Sequence, residues 1–325
     1  MELFVKQELV KSLPQIDAIL LDVDGVILDV AQTFQVVAAN VAQLLATQWM
    51  NLEDDGALFE PLECEHFKNA GGFNNDWDLT NGVVALALAQ HVKNPKLTST
   101  AQLRAECDWT GFTRDIKRRG GGLQNAEHAV LEMLAPAQRR DFARAWNPKL
   151  VTQIFQEMYA GDAQCKSLYG FDPEHVHGDG YLDRETVLID AKLLPKNVKI
   201  GVLTGRTSAE TQIALSRAGL CDRIPESARV TESDGVRKPA GEALALLQQK
   251  IGFKSGVYIG DTMDDLSVVQ NYREMRSSGR ARCHSCIVLS GPAGATYKRM
   301  FLEAGAEIVA PDVNAVLQYL GSVIK

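Results

Sequence analysis

Long apolar segments are missing from this sequence. No stretch approaches the roughly 20 consecutive apolar residues that span a bilayer, and Met1 to Pro14 lacks the apolar centre of a signal peptide. Cysteine is also sparse, because six residues in a chain of 325 are too few for a disulfide framework. Cys283 and Cys286 resemble half of a zinc site, but no second pair accompanies them. We therefore expect a cytoplasmic protein with reduced cysteines and no membrane segment.

Basic residues are fewer than acidic residues in this sequence. Lys and Arg number 34 against 41 Asp and Glu, which gives a formal net charge of −7 at pH 7. This balance gives no support to nucleic-acid binding and disfavours attraction to anionic membranes. A negative net charge does not exclude the binding of a small phosphorylated molecule, because a cation at the binding site can attract the phosphate locally. We expect a monomer or a homodimer.

The hydrophobic pattern changes twice along the chain. Ala18 to Leu21 is an apolar run that predicts a buried strand of a parallel sheet. Residues 30 to about 185 show helical periodicity interrupted by glycine-rich loops, with Thr80 and Asn81 as expected N-caps of one helix. From Val187 onward short apolar strands alternate with helices, a pattern typical of a doubly wound parallel sheet.

The pattern predicts an α/β protein of two domains, which also fits the chain length. Residues 1–29 and 186–325 are expected to form a Rossmann-like core with a doubly wound parallel sheet. Residues 30–185 are expected to form an inserted, mainly helical cap domain. A cap over a catalytic crevice is the natural use of an insert at that point in the chain.

Polar residues follow several of the predicted core strands. In open α/β sheets ligands bind beyond the carboxyl ends of the strands, so residues at this edge are candidates for a functional site. The candidates are Asp22 with Asp24, Thr204-Gly205-Arg206, Lys238, and Asp261 with Asp265.

Convergence of these acids predicts a bound cation. If Asp22, Asp261 and Asp265 meet, each pair at about 4 Å costs roughly 4 kcal/mol at an effective dielectric near 20. Oxygen ligands without His or Cys favour Mg²⁺ over Zn²⁺. Because Mg²⁺ also takes phosphate oxygens, phosphate chemistry follows, with Asp22 as the candidate nucleophile and Asp24 as the general acid and base.

Donors to a phosphate are available in the same set of residues. The Thr204 hydroxyl, the Gly205 N–H and Lys238 can surround the transferring phosphoryl group, whose equatorial oxygens need neutralising. Lys238 also offsets the acidic cluster.

Four ordered motifs resemble those of the haloacid dehalogenase superfamily. The long insert after the first motif is similar to the subfamily that carries a helical cap there. The motifs are Asp22-Val23-Asp24-Gly25-Val26, Leu203-Thr204-Gly205, Lys238-Pro239 and Gly260-Asp261-Thr262-Met263-Asp264-Asp265.

The resemblance implies a chemistry as well as a fold. It implies an aspartyl-phosphate on Asp22 and a Mg²⁺ ion held by the Asp22 carboxylate, the Asp24 carbonyl and Asp261. Asp265 is then expected either to support the metal through water or to hold Lys238. The function expected is a Mg²⁺-dependent phosphohydrolase acting on a small phosphorylated metabolite. The alternatives are a phosphomutase of the same superfamily and a non-catalytic protein that binds a phosphorylated metabolite.

Several residues outside the shared motifs have two interpretations. Arg206 follows Thr204-Gly205, whereas many relatives carry Asn directly after the hydroxyl residue, and Arg206 is either a surface residue at a helix start or a contact to a substrate anion. Asn75, in the glycine- and amide-rich stretch 71–77, either caps a helix or binds substrate. Arg118 and Arg119, beside Gly120 to Gly122, form either a solvated helix end or a clamp for a substrate anion.

Overall fold

The computed structural model describes residues 3–73, 75–275, 279–291 and 297–324. The chain divides into two compact units, Met1–Ala31 with Glu185–Lys325, and Gln32–Arg184. The boundaries expected from the sequence, after residues 29 and 185, lie within two residues of these. We call the discontinuous unit the core and the inserted unit the cap.

The core contains a seven-stranded sheet made of β1 Phe4–Val5, β2 Ala18–Leu21, β5 Lys199–Leu203, β6 Arg229–Val230, β7 Ser255–Gly260, β8 Arg282–Val288 and β9 Ile308–Ala310. The strand order in this sheet is β1-β9-β8-β7-β2-β5-β6. Strand β1 is antiparallel to β9, and the other pairs in this sheet are parallel. A separate antiparallel pair is formed by β3 Leu28–Asp29 and β4 Thr186–Val187.

The strand order makes β2 the point where the winding reverses. Strands β5 and β6 lie on one side of β2, and β7, β8 and β9 lie on the other. The predicted α/β class with a doubly wound, mainly parallel sheet is confirmed. The crevice at such a reversal is where open α/β sheets bind ligands. The core helices are α9 Ser208–Arg217, α10 Gly241–Ile251, α11 Met263–Glu274, α12 Lys298–Glu303 and α13 Val313–Val323.

Burial of apolar side chains fixes the strand ends. All four residues of β2 are buried, and Leu21 pairs with Val202 on one side and Ile259 on the other. Leu20 belongs to a buried cluster that includes residues of α10 and α11. Because β2 is central and packed on both flanks, the residues that follow it start from a rigid position.

The cap is helical in the part of the chain that the structure describes. Its longest helix bends at Gly161, whose φ of 64° and ψ of 179° are not helical. The cap helices are α1 Phe34–Gln48, α2 Cys64–Ala70, α3 Asp76–Lys93, α4 Thr100–Glu106, α5 Trp109–Arg118, α6 Leu123–Met133, α7 Pro136–Ala145 and α8 Pro148–Tyr169.

Helix α3 begins earlier than the sequence indicates. Thr80 and Asn81 were expected as N-caps, but both are buried inside the helix, so that prediction is wrong. The Thr80 hydroxyl donates to the Asp76 carbonyl at 2.7 Å, and the Asn81 amide donates to the Trp77 carbonyl at 2.9 Å. Side chains that bond back to the preceding turn are compatible with a helix interior.

The six cysteines of the chain are all free thiols. Burial raises the pKa of the Cys107 and Cys283 thiols to about 12, which keeps them protonated. Among the described residues, no helix is both long enough and apolar enough to cross a bilayer.

Candidate active site

Asp22 leaves β2 directly into a buried polar cluster. Its Oδ2 accepts a bond from Lys238 Nζ at 2.7 Å, and its Oδ1 accepts one from the Val23 N–H at 2.8 Å. Burial raises the pKa of Asp22 to about 7. The nearby Lys238 ammonium opposes this rise, and the Asp265 and Asp24 carboxylates add to it. The carboxylate is therefore sensitive to any charge placed beside it.

Lys238 joins two carboxylates inside the protein. Its Nζ lies 2.7 Å from Asp22 Oδ2 and 2.6 Å from Asp265 Oδ1. Burial would lower the pKa of Lys238, but Asp22 and Asp265 hold it above its ordinary range. The lysine is thus a permanent positive charge in the cluster.

Asp265 is held from several directions. Its Oδ1 accepts from Lys238 and from the Tyr258 hydroxyl at 2.8 Å, and its Oδ2 accepts from Thr262 Oγ1 at 2.6 Å and from the Asp261 N–H at 3.1 Å. Burial would raise the pKa of Asp265, but the Lys238 charge and these donors hold it below its usual range. Of the two roles that the resemblance implies, the geometry shows Asp265 holding Lys238.

Asp261 occupies a gap between two glycines. A Cβ on Gly25 would lie 2.3 Å from Asp261 Oδ2, and one on Gly291 would lie 1.8 Å from the same atom. Gly25 also has a φ of 69°, which favours glycine. Both positions therefore need glycine if the Asp261 carboxylate is to keep its place.

The carboxylates could hold a metal ion. Asp22, Asp261 and Asp265 each offer an oxygen, and these oxygens lie within 4.8 Å of one another. With Lys238 ionised and the three acids ionised, the cluster carries a charge of −2. The donor set is entirely oxygen and buried, which fits Mg²⁺. The resemblance adds the Asp24 carbonyl to this set.

Asp24 contacts a buried arginine that the sequence did not place correctly. Its Oδ1 lies 2.8 Å from Arg206 Nε and 2.6 Å from Arg206 Nη2. Arg206 is only 3% exposed, so the interpretation of it as a surface residue is wrong. Its guanidinium also binds Glu185, at 2.7 Å from Nη2 to Oε1 and 3.2 Å from Nη1 to Oε2. Its contact with a substrate anion stays a prediction.

The second motif lies at the end of β5, next to β2. Thr204 is buried, its N–H donates to the Val230 carbonyl at 3.0 Å, and its hydroxyl accepts the Arg206 N–H at 3.2 Å. Gly205 lies between these two residues. The roles of the Thr204 hydroxyl and the Gly205 N–H as phosphate donors stay predictions.

The candidate residues Asn75, Arg118 and Arg119 belong to the cap. Asn75 caps α3, because its side chain accepts the Trp77 N–H at 3.0 Å. Arg119 is paired with Asp115 at 2.8 Å and with Glu132 at 2.7 Å, and Arg118 is exposed at the end of α5. The roles of all three in binding substrate stay predictions.

Two glycine-rich stretches that the sequence singled out meet within the cap. The Gly122 N–H donates to the Gly71 carbonyl at 2.9 Å. A Cβ on Gly121 would lie 2.4 Å from the Gly71 carbonyl oxygen. Asn74, which belongs to the first stretch, lies outside the described residues. The contact of these two backbones was not foreseen from the sequence.

The search for relatives finds likeness in structure and not in sequence. No protein-family model and no curated protein matches the chain. A target of the Northeast Structural Genomics Consortium aligns with a TM-score of 0.61 and 16% identity, covering 95% of this chain and 99% of that one. The phosphatase Tt82 from Thermococcus thioreducens aligns with a TM-score of 0.60 and 20% identity, covering 94% and 99%.

A further structure is a conserved haloacid dehalogenase-like protein from Agrobacterium tumefaciens. It aligns with a TM-score of 0.46 and 12% identity, over 95% of this chain and 97% of that one. At identities this low, the two alignments above a TM-score of 0.5 bear on the fold alone. The chain shares its overall fold with these two structures.

The carboxyl ends of the core strands carry the polar residues of three motifs. Asp22 follows β2, Thr204 follows β5 and Asp261 follows β7. These three strands are neighbours in the order β7-β2-β5, so the residues share one edge of the sheet. Lys238 reaches the same place from the loop before α10, as its bond to Asp22 shows. The sequence did not indicate Glu185, which binds Arg206, or Tyr258, which donates to Asp265.

Proposed function

We propose that this protein is a Mg²⁺-dependent phosphatase that hydrolyses a small phosphorylated metabolite through an aspartyl-phosphate on Asp22. The observation that carries the proposal is the buried bridge from Asp22 through Lys238 to Asp265, with Asp261 in the same cluster. A structure named as a phosphatase shares this fold, which supports the same class of activity.

The chain's own residues supply both steps of the reaction. In the first step a carboxylate oxygen of Asp22 attacks phosphorus, while Asp24 gives its proton to the leaving oxygen as that P–O bond breaks. In the second step Asp24 takes a proton from water. The water oxygen then bonds to phosphorus, and the bond from phosphorus to the Asp22 oxygen breaks. Asp22 and Asp24 both return to their starting states.

Lys238 and a bound metal ion would together neutralise the negative charges of the site. Lys238 keeps the Asp22 carboxylate oriented and adds one positive charge to the cluster. A bound Mg²⁺ would neutralise the remaining charge of −2 and the equatorial oxygens of the phosphoryl group. Asp22 and Asp261 would hold the ion, with Asp24 supplying its carbonyl as the resemblance implies. The need for a cation follows from three carboxylates that share one buried site.

A panel of phosphorylated metabolites assayed with Mg²⁺ and with chelator tests this proposal. We expect free phosphate from a subset of the panel in Mg²⁺ and none with chelator or with Asp22→Asn. The matched control is Asp17→Asn, because Asp17 immediately precedes the opposite end of β2 and accepts the Ser255 N–H at 2.8 Å. It should keep full activity. Full activity after exhaustive chelation would refute the metal-dependent mechanism, and an isomerised substrate without free phosphate would identify a phosphomutase.

A further inference from the structure

Asp24, Arg206 and Glu185 form a chain of ion pairs at the edge of the core sheet. Arg206 places Nε and Nη2 on Asp24 Oδ1, at 2.8 and 2.6 Å. Nη2 also donates to Glu185 Oε1 at 2.7 Å, and Nη1 donates to Glu185 Oε2 at 3.2 Å. A guanidinium bound on two sides cannot rotate freely, because its five N–H groups lie in one plane.

The two members behind Asp24 are shielded from solvent. The side chain of Arg206 is 2% exposed and that of Glu185 is 0% exposed, whereas the Asp24 carboxylate is 29% exposed. Arg217 adds a second cation near Glu185, with Nη1 at 3.5 Å from Oε2. Only Arg206 and Glu185 of this set are fully buried, since the Arg217 side chain is 25% exposed. A buried ion pair contributes little net stability compared with apolar side chains, which favours a role in orienting Asp24.

The geometry distinguishes the two oxygens of Asp24. Both bonds from Arg206 end on Oδ1, which leaves Oδ2 to carry a proton. Asp24 lies between the end of β2 and a turn in which the Gly25 N–H donates to the Leu28 carbonyl at 2.8 Å. The backbone at Asp24 is therefore fixed by β2 and this turn, and the carboxylate orientation is fixed by Arg206.

We propose that Glu185 and Arg206 are positioning residues that hold the Asp24 carboxylate for proton transfer. The inference rests on the proposed phosphatase function, in which Oδ2 gives its proton to the leaving oxygen and later takes one from water. Arg206 acts on the reaction through Asp24, and Glu185 acts through Arg206. Glu185 begins the stretch of chain that returns from the cap to the core.

The dependence on the leaving group tests this role. An alkyl phosphate releases a strongly basic alkoxide that needs a proton, whereas p-nitrophenyl phosphate releases a stable phenolate that does not. General acid catalysis contributes about 10²- to 10⁴-fold to such a step. We expect Arg206→Lys and Glu185→Gln to lower kcat/KM for an alkyl phosphate by at least about tenfold, and for p-nitrophenyl phosphate by less than about threefold.

Arg229→Lys is the matched control. Arg229 is a buried arginine of the same unit that donates to the Ile224 carbonyl and to Gln212, with no contact to Asp24 among the described residues. It should leave the ratio of the two efficiencies unchanged even if the melting temperature falls. Thermal melting of each variant confirms that it folds, and Arg206→Lys carries the test if Glu185→Gln does not fold.

Each outcome bears on the inference in a defined way. A selective loss on the alkyl phosphate supports positioning of Asp24. Equal losses on both substrates, or no loss on either, overturn it while the wild-type activity keeps the proposed function intact. A wild-type enzyme that releases phosphate in Mg²⁺ from neither of these substrates nor from any metabolite of the panel overturns the proposed function and this inference with it.

Discussion

Replacing Lys238 by Met removes the only charge that offsets two carboxylates at once within the described cluster. Met has a similar length and no charge, so the substitution changes electrostatics more than volume. Asp22 and Asp265 would each lose a bond from Nζ, of 2.7 and 2.6 Å. Both carboxylates would remain buried, with side-chain exposures of 5% and 0%.

The cost follows from the loss of one partner in a buried ion pair. Such a loss destabilises proteins by about 3–5 kcal/mol, because an uncompensated charge is left inside. The cost should be smaller at pH 5 than at pH 8. Burial already raises the pKa of Asp22 to about 7, so at pH 5 this carboxyl binds a proton and its charge disappears.

Denaturant unfolding of the metal-free protein at pH 8 measures the effect, with Lys250→Met as the matched control. Lys250 forms an ion pair of the same length, 2.7 Å, with Asp234, but the two side chains are 26% and 24% exposed. Ion pairs with partly exposed side chains contribute about 0–1 kcal/mol. If Lys238→Met costs no more than Lys250→Met, or if its cost does not grow from pH 5 to pH 8, the electrostatic reasoning is wrong.

Three further predictions concern the metal, the cap and its arginines. Mg²⁺ at a hundredfold excess over its dissociation constant should raise the free energy of unfolding by about 2.7 kcal/mol. In a thermal-shift titration, Asp261→Asn should remove most of that gain, and an equal gain in the variant would exclude Asp261 as a ligand. Burial would raise the pKa of Glu157, but the backbone N–H groups of residues 174–176 and the Gln153 amide hold it below its usual 4.5. The ionised carboxylate therefore stabilises the fold above that pH, and this stabilisation is lost as the pH falls further. The free energy of unfolding of Glu157→Gln should decline less steeply in acid than that of the wild type, and an identical acid profile would contradict this expectation. We expect Arg118→Ala to lower kcat/KM on the natural substrate by at least about tenfold. Arg119→Ala should lower it less, because Arg119 is already paired with two carboxylates. A larger loss for Arg119→Ala than for Arg118→Ala would contradict the role of Arg118 in binding the substrate.

The sequence predicted the parts of the site that local patterns encode. Asp22 and Asp24 follow an uninterrupted apolar run, which identifies both the strand and the edge where it ends. The meeting of Asp22, Lys238 and Asp265 could be expected because parallel strands bring their carboxyl ends to one edge of the sheet. These are consequences of strand direction, which the alternation of strands and helices reveals.

Contacts between distant segments could not be predicted from patterns. Glu185 stands between Arg184 and Thr186 in a stretch with no strong periodicity, and its burial depends on Arg206 and Arg217 folding over it. Arg206 resembles a helix-start residue in sequence, because no local pattern indicates that it contacts the carboxylates of Asp24 and Glu185. The start of α3 was missed for a related reason, since Thr80 is a common capping residue whose hydroxyl here bonds the preceding turn.

Trapping the covalent intermediate tests the central claim most directly. The enzyme is quenched during turnover of a substrate in Mg²⁺ and treated with borohydride, which reduces an aspartyl-phosphate to homoserine, and the modified residue is located by peptide mass spectrometry. We predict homoserine at position 22, unmodified Asp24, and no modification in chelator or before substrate is added. Continued release of phosphate with Asp22 intact, or with the modification at another residue, would contradict the assignment of Asp22 as the nucleophile.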